Sequence, residues 1–242
     1  MTCIIAIETA TEACSAALLI KKAGKLSLYY RFLLAPREHT KLILPMLEEV
    51  LQEAELQLSD VNAIAFGRGP GAFTGLRIAT GIAQGLSLSV DKPTVPVSSL
   101  KAMALAAIKE SEQSNSGSIV VAIDARMGEV YWAEYKSNHG QLALVGEEQL
   151  SNPETMFVQT QALTETHAVT VIGSGWDTYI DSAAEIITNR DRINHIPQKF
   201  PDAVEISALA MESFEAGESY SLEEAQPVYL RNNVAEKSRK TN

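Results

Sequence analysis

The first third of the chain carries short apolar segments separated by polar turns. The segments at 3–10, 14–21 and 25–34 are rich in isoleucine, leucine and alanine, and only three residues separate each from the next. This pattern predicts a three-stranded antiparallel meander. Apolar residues at helical spacing follow, from Leu44 to Ala54, and the buried-strand pattern VNAIAF comes after them.

The same order of elements begins again in the second half of the chain. A helical pattern leads into the polar stretch SEQSNSGS, beyond which IVVAIDARMGEVYWAEY can be aligned with IIAIETATEACSAALLI. In this alignment Asp124 corresponds to Glu8, at the end of a buried strand. We therefore predict a duplicated α/β protein with a first domain at 1–108, a linker at 109–118 and a smaller, degenerate second domain at 119–242.

The last helical pattern runs from Val204 to Phe214 and leaves two arrangements open. It either closes the second domain or crosses back to the first. The basic stretch YLRNNVAEKSRKTN follows it. Such a terminus is most often solvated, and contact with a partner or with tRNA held by a complex is the alternative.

Two similar domains that each begin with a strand ending in an acid resemble the actin, Hsp70 and sugar-kinase superfamily, also called the ASKHA or RNase H-like fold. In that superfamily the two acids flank a cleft that holds a magnesium-bound nucleotide. The turn after Glu8 contains no glycine and the turn after Asp124 contains only Gly128, which hinders close approach of phosphates to the backbone. We expect Glu8 and Asp124 to be relics that bond neighbouring groups. The alternative is an ATP-dependent phosphotransferase or ATPase acting at the interdomain cleft.

The charge balance argues against nucleic-acid binding by this chain alone. Its formal net charge is −10, whereas affinity for nucleic acid comes mainly from lysine and arginine. The N-terminal stretch has no basic leader, and no segment has the about 20 apolar residues of a membrane span. Cys3 and Cys14 show no metal-binding spacing. We therefore expect a cytoplasmic protein without a membrane partner.

The most distinctive stretch is GRGPGAFTGLRIATGIAQGL, from Gly67 to Leu86. It ends its glycine-rich turn on Gly75-Leu76-Arg77, so it lacks the Gly-Lys-Ser/Thr of a phosphate-binding P-loop. The helix that follows has two rows of small residues at one-turn spacing, namely Gly75, Ala79, Ala83 and Ser87, and Gly81, Gly85 and Ser89.

Together with AIETAT, CSAALL, REHTKLILPML, DARMGEVYWAEY and PVYLR, this stretch resembles the TsaB (YeaZ) family over nearly the whole chain. The resemblance implies a non-catalytic subunit in threonylcarbamoyladenosine synthesis on tRNA, which binds and supports its catalytic paralog TsaD alongside the ATPase TsaE. It implies a homodimer when the chain is alone, tRNA contact only through the complex, and no cofactor bound by this chain alone. ATP and magnesium remain open for the complex. One departure is Glu8, where the family usually has aspartate.

The catalytic paralog carries a His-x-x-x-His pair on the helix after its fifth strand. The matching stretch here has Ser99 and Met103, which do not bind divalent metals as imidazoles do. The four histidines are scattered along the chain without ligand spacing. No metal site and no catalytic residue are predicted.

A partner-binding surface is predicted on the two helices of the first domain. Glycine inside a helix costs about 1 kcal/mol relative to alanine, so a stripe of small residues favours close contact with another helix. The resemblance places that contact with TsaD or with a second copy of this chain. The alternative is packing against the protein's own sheet. The predicted interface residues are Leu44, Leu47, Phe73, Thr74, Gly75, Leu76, Arg77, Ala79, Ala83 and Ser87.

Overall fold

The computed structural model describes residues 1–110, 116–221 and 223–231, in which the strands form two five-stranded sheets. The first unit has five strands and three helices in the order predicted. Its elements are β1 (Thr2–Glu8), β2 (Ala13–Lys22), β3 (Lys25–Leu34), α1 (His39–Glu53), β4 (Ala63–Gly69), α2 (Phe73–Val90), β5 (Thr94–Ser98) and α3 (Ser99–Glu110).

The second unit repeats this order. Its elements are β6 (Ser116–Arg126), β7 (Glu129–Asn138), β8 (Gln141–Ser151), α4 (Pro153–Thr164), β9 (Val169–Ile172), α5 (Ser174–Ile186), β10 (Ile193–Ile196) and α6 (Ala203–Glu215). Two 3-10 turns, Leu58–Asp60 and Arg190–Arg192, complete the described elements.

The two sheets have matching topology, which confirms the duplicated α/β fold. The strand orders are β3-β2-β1-β4-β5 and, read from the equivalent edge, β8-β7-β6-β9-β10. In each sheet the first three strands are antiparallel and the last two run parallel to the first. The central strands are continuous apolar runs because helices cover both of their faces.

Two helices cross from one unit to the other. One face of the first sheet is covered by α1 and α2, but the other is covered by α6 from the end of the chain, through residues such as Ile206 and Ala210. The second sheet is covered by α4 and α5 on one face and by α3 on the other, through Leu100, Met103 and Ala107. The last helix therefore crosses back to the first unit, which was one of the two expected arrangements.

The predicted domain boundaries divide the chain between the two sheets. They do not assign each helix to the unit whose sheet it covers. Half of the predicted linker, 111–115, lies outside the described residues, and 116–118 forms the start of β6. The segment 119–242 contains α6, which packs in the first unit, and the segment 1–108 contains most of α3, which packs on the second sheet. Across the described residues, no helix combines the length and hydropathy needed to cross a membrane.

Candidate functional site

Glu8 ends β1 in a fully buried position. The hydroxyl of Ser99 donates to its Oε2 at 2.7 Å, and the backbone N–H of Ala10 donates to its Oε1 at 2.6 Å. Its carboxyl also lies against Gly67, where an added Cβ would come within 2.0 Å of Oε2. Burial raises the pKa of Glu8 to about 7. Both oxygens are thus engaged by the protein itself.

Asp124 lies near the end of β6, with its side chain 12% exposed. Its Oδ1 accepts from the backbone N–H of Arg126 at 2.9 Å, and its Oδ2 lies 3.3 Å from the Nη1 of the same residue. Arg126 also forms an ion pair with Glu12 of the first unit. This link joins the turns that follow β1 and β6.

A cleft of about 700 Å³ separates these two turns. Its charged lining residues are Glu12, Arg37, Asp124, Arg126 and Arg231. The resemblance to the actin, Hsp70 and sugar-kinase superfamily implies a nucleotide with magnesium here, and the residues fit that group poorly. Glu8 has no oxygen free for a metal and is partly protonated near neutral pH, while Asp124 faces the Arg126 guanidinium.

The end of the segment 223–231 lines this cleft, through residues 228–231. The Val228 N–H donates to the carbonyl of Arg68 in β4 at 2.8 Å, and Leu230 packs on the core of the second unit. Between them Tyr229 contacts the start of α2, with its ring centroid 5.3 Å from that of Phe73. The Arg77 guanidinium lies 3.7 Å from the Phe73 ring centroid. The segment therefore joins both units and the start of α2.

The predicted interface residues divide into two groups. The side chains of Leu44, Phe73, Thr74 and Arg77 lie on the surface, with Leu44 51% and Phe73 40% exposed. The other six are buried inside this chain, namely Leu47, Gly75, Leu76, Ala79, Ala83 and Ser87. The predicted surface location was therefore wrong for these six residues. Leu47 lies on the inner face of α1, and the other five lie on the inner face of α2, because both helices pack on the first sheet.

At Gly75 the structure shows why a small residue is needed on the inner face of α2. An added Cβ would lie 1.9 Å from the Thr9 carbonyl oxygen, and the Thr9 hydroxyl donates to the Gly75 carbonyl at 2.7 Å. Glycine is therefore required where α2 touches the turn after β1. Thr74 does not cap α2, because the helix begins after Ala72 and has no side-chain cap.

The outer face of α2 carries the second row of small residues. Gly81 and Gly85 are exposed, and a Cβ added to either would meet nothing within 4 Å. Leu88, one turn further, is 73% exposed. Between α1 and α2 lies a groove of about 500 Å³, lined largely by leucines. We call this region the α1–α2 surface; it consists of Leu44, Leu51, Gly81, Gly85, Leu86 and Leu88.

Ser99 and Met103, at the positions where the paralog has histidines, belong to the interior. Ser99 bonds Glu8, and Met103 packs beside Gly173 in the second unit. His39 is buried, and its Nε2 lies 2.9 Å from the Thr11 carbonyl. Within residues 1–110, 116–221 and 223–231, no three His, Cys, Asp or Glu side chains converge as metal ligands would.

Comparison with known proteins gives the family. The family model described as TsaD, tRNA N6-adenosine threonylcarbamoyltransferase, matches residues 33–241. The Escherichia coli K12 protein named tRNA threonylcarbamoyladenosine biosynthesis protein TsaB is 41% identical over 238 residues, which are 96% of each chain. The Haemophilus influenzae protein of the same name is 39% identical and covers 96% of this chain and 94% of its own.

A solved structure agrees with the sequence relatives. YeaZ from Pseudomonas aeruginosa is 37% identical, covers 95% of this chain and 100% of its own, and superposes with a TM-score of 0.79. The similarity thus extends over both units and over the glycine stretch that begins α2. This chain belongs to the TsaB (YeaZ) family of tRNA threonylcarbamoyladenosine biosynthesis proteins.

Proposed function

We propose that this protein is a non-catalytic scaffold and activator subunit in threonylcarbamoyl transfer to the adenosine beside the anticodon of tRNA. It acts by binding the catalytic paralog TsaD. TsaE joins the assembled complex, and tRNA is contacted only through that complex in the cytoplasm. The names of the relatives support the pathway, and the net charge of −10 fits a subunit that does not hold tRNA alone.

The observation that carries the proposal is the α1–α2 surface. It combines exposed leucines with a helix face on which Gly81 and Gly85 leave the backbone uncovered. A partner helix can approach such a backbone closely, and the leucine-lined groove beside it can take apolar side chains. Of the residues predicted for the interface, this surface includes only Leu44; its α2 residues belong to the outer row of the helix and replace the inner row that was predicted.

The two cleft acids support a non-catalytic role. Glu8 has both oxygens hydrogen-bonded inside the first unit, and Asp124 is paired with Arg126. ATP and magnesium are therefore assigned to the complex rather than to this chain. Calorimetry with magnesium-ATP tests this directly, because micromolar binding with turnover by the isolated protein would favour an enzyme of the sugar-kinase type instead.

Replacing Gly85 with arginine tests the TsaD contact. The position is open, so the folded structure accommodates the side chain, whereas a charged group at a helix contact should weaken binding to TsaD at least about tenfold. The affinity is measured by calorimetry with purified TsaD. Val158→Arg is the matched control, since Val158 is an exposed apolar residue on α4 of the second unit. Equal affinity of the Gly85 variant and the wild type would contradict this site.

A further inference from the structure

The hairpin formed by β2 and β3 differs in charge from the rest of the chain. Residues 13–37 contain five basic side chains and no acidic one, in a chain with 30 acidic residues. Lys21 and Arg31 are paired with acids of α6 and α1. Within the described residues no acid pairs with the other three, which lie beyond the two ends of β3 or at its first position, namely Lys22, Lys25 and Arg37. Both ends of this strand are thus positively charged.

Between these cations β3 carries a row of exposed apolar side chains. The row takes every second residue from Leu26 to Leu34, with Tyr30 in the middle. The exposed fractions are Leu26 63%, Leu28 42%, Tyr30 53%, Phe32 39% and Leu34 54%. Together these side chains expose on the order of 500 Å², a size at which an apolar patch on a monomer is often functional. We call these five side chains the β3 row.

The β3 row lies on the face of the first sheet that α6 covers. Its neighbours on β2 include Ala17, opposite Tyr30, and Leu19, opposite Leu28, and both are buried in the cluster that α6 completes. The apolar layer beneath α6 therefore continues outward into the β3 row, which stays exposed.

The other edges of the two sheets carry features that prevent further pairing. Strand β5 has five residues with Pro96 among them, and Tyr220 pairs with Thr94 at its edge. Strand β10 has four residues. Strand β8, the equivalent of β3, is interrupted by a register shift opposite Trp132 to Glu134. By contrast, β3 runs for ten residues in unbroken register with β2 and contains no proline, so its edge is open to another strand.

The backbone of the β3 row points to this open edge. The turn between β2 and β3 consists of Ala23 and Gly24, both with positive φ, as in a two-residue type I′ hairpin. In such a hairpin the flanking residues Lys22 and Lys25 form a hydrogen-bonded pair. The odd-numbered residues of β3 therefore bond β2, and the even-numbered ones direct their N–H and C=O groups outward.

We propose that β3 binds an extended, acidic segment of another protein as a sixth strand of the first sheet. The segment has apolar residues at alternate positions, which pack on the β3 row, and acidic residues at its ends, which pair with Lys25 and Arg37. Its backbone satisfies the outward N–H and C=O groups of the row. The main-chain bonds and apolar contacts supply affinity, and the cations select an acidic segment.

Charge and backbone geometry favour this occupant over two others. A second copy of the chain would bring the same unpaired cations to the edge, and like charges at close range oppose association. A membrane surface would accept the cations and the apolar side chains, but lipid offers no hydrogen-bond partner to the outward backbone groups. An acidic strand satisfies the cations, the apolar row and the backbone together.

This surface is separate from the contact proposed for TsaD. In the first sheet β3 is one edge, whereas α2 packs mainly on β4, three strands away. A strand added to β3 therefore leaves Gly81 and Gly85 free. The inference does not depend on the proposed function.

Two synthetic peptides test the proposal with the purified full chain. In both, valine alternates with threonine; one peptide carries a pair of glutamates at each end and the other a pair of lysines. We expect the glutamate peptide to bind with a dissociation constant of about 100 μM or below, and the lysine peptide at least about tenfold more weakly. Anisotropy of a fluorescent label on each peptide measures the affinities. No binding of the glutamate peptide, or equal affinity of the two, would overturn the proposal.

Three variants locate the peptide on the protein. Tyr30→Lys places a charge in the middle of the β3 row, and Leu28→Pro removes one outward N–H but keeps an apolar side chain. Each should raise the dissociation constant of the glutamate peptide at least about tenfold. Leu144→Lys is the matched control and should bind as the wild type does, because Leu144 is exposed on the equivalent edge strand β8. Unchanged binding by both β3 variants would contradict this site. The peptide comparison uses the wild type, so it decides even if a variant fails to fold.

The two other occupants are outcomes of further measurements. Sedimentation velocity of the wild type and of Tyr30→Lys detects a second copy on β3, and co-sedimentation with phosphatidylserine vesicles detects a lipid surface. We expect Tyr30→Lys to change neither result. A dimer that Tyr30→Lys dissociates would assign β3 to self-association, and vesicle binding that it abolishes would assign β3 to a membrane. Either result would overturn the proposal.

Discussion

Replacing Gly75 with alanine is expected to destabilise the protein by about 3 kcal/mol or more. The added methyl group would lie 1.9 Å from the Thr9 carbonyl oxygen and 3.0 Å from its carbon, so backbone must move. Movement there also strains the 2.7 Å hydrogen bond from the Thr9 hydroxyl to the Gly75 carbonyl. Urea unfolding, with the midpoint and slope both fitted, measures the loss.

Gly81→Ala is the matched control on the same helix. A Cβ at this position meets nothing within 4 Å, so the gain in helix propensity stabilises the fold by about 0.5–1 kcal/mol. The two substitutions are chemically identical and should change stability in opposite directions. A Gly75 variant as stable as the Gly81 variant would show that α2 does not lie against the turn after β1 as described.

Stability is expected to fall as the pH rises from about 4.5 to about 7, because of Glu8. Burial raises the pKa of Glu8 from 4.5 to about 7, so the unfolded chain releases this proton at a lower pH than the folded protein. The fold therefore loses about 3 kcal/mol from this residue across that window. The contribution is fully present below pH 4.5 and lost above pH 7.

Glu8→Gln should remove this dependence while keeping the contacts. The amide oxygen can accept from Ala10, and the amide nitrogen can donate to the Ser99 hydroxyl. Free energies of unfolding between pH 4.5 and 8 give the difference profile. Asp202, whose pKa burial raises to about 6, adds a slope of the same sign, and Asp202→Asn separates it. Parallel profiles for the wild type and Glu8→Gln would refute the assignment.

The duplicated fold was predictable from the chain because hydrophobic patterning is repeated. Two apolar strands that end in Glu8 and Asp124, each followed by two further strands, specify two matching sheets without reference to any contact between them. The turn at Ala23 and Gly24 likewise specifies its hairpin locally.

The orientation of α2 was not predictable in the same way. Its two rows of small residues, one with Ala79 and Ala83 and the other with Gly81 and Gly85, differ too little in hydrophobicity to identify an inner face. The inner face of α2 is set by Gly75, which contacts Thr9, a residue far from it in sequence. The path of the segment 223–231 also depends on distant partners, such as Phe73 and Arg68.

The exchange of α3 and α6 has a consequence for how the chain is made. The first sheet is complete once Ser98 has been synthesised, but the helix that seals its second face contains Ile206 and Ala210, which leave the ribosome far later. Until then the cover that its own half of the chain supplies to that face, with Ile4, Ala6 and Val95, comes from α3 through Ala102 and Leu105. The first half of the protein thus reaches its final packing only when translation is nearly finished.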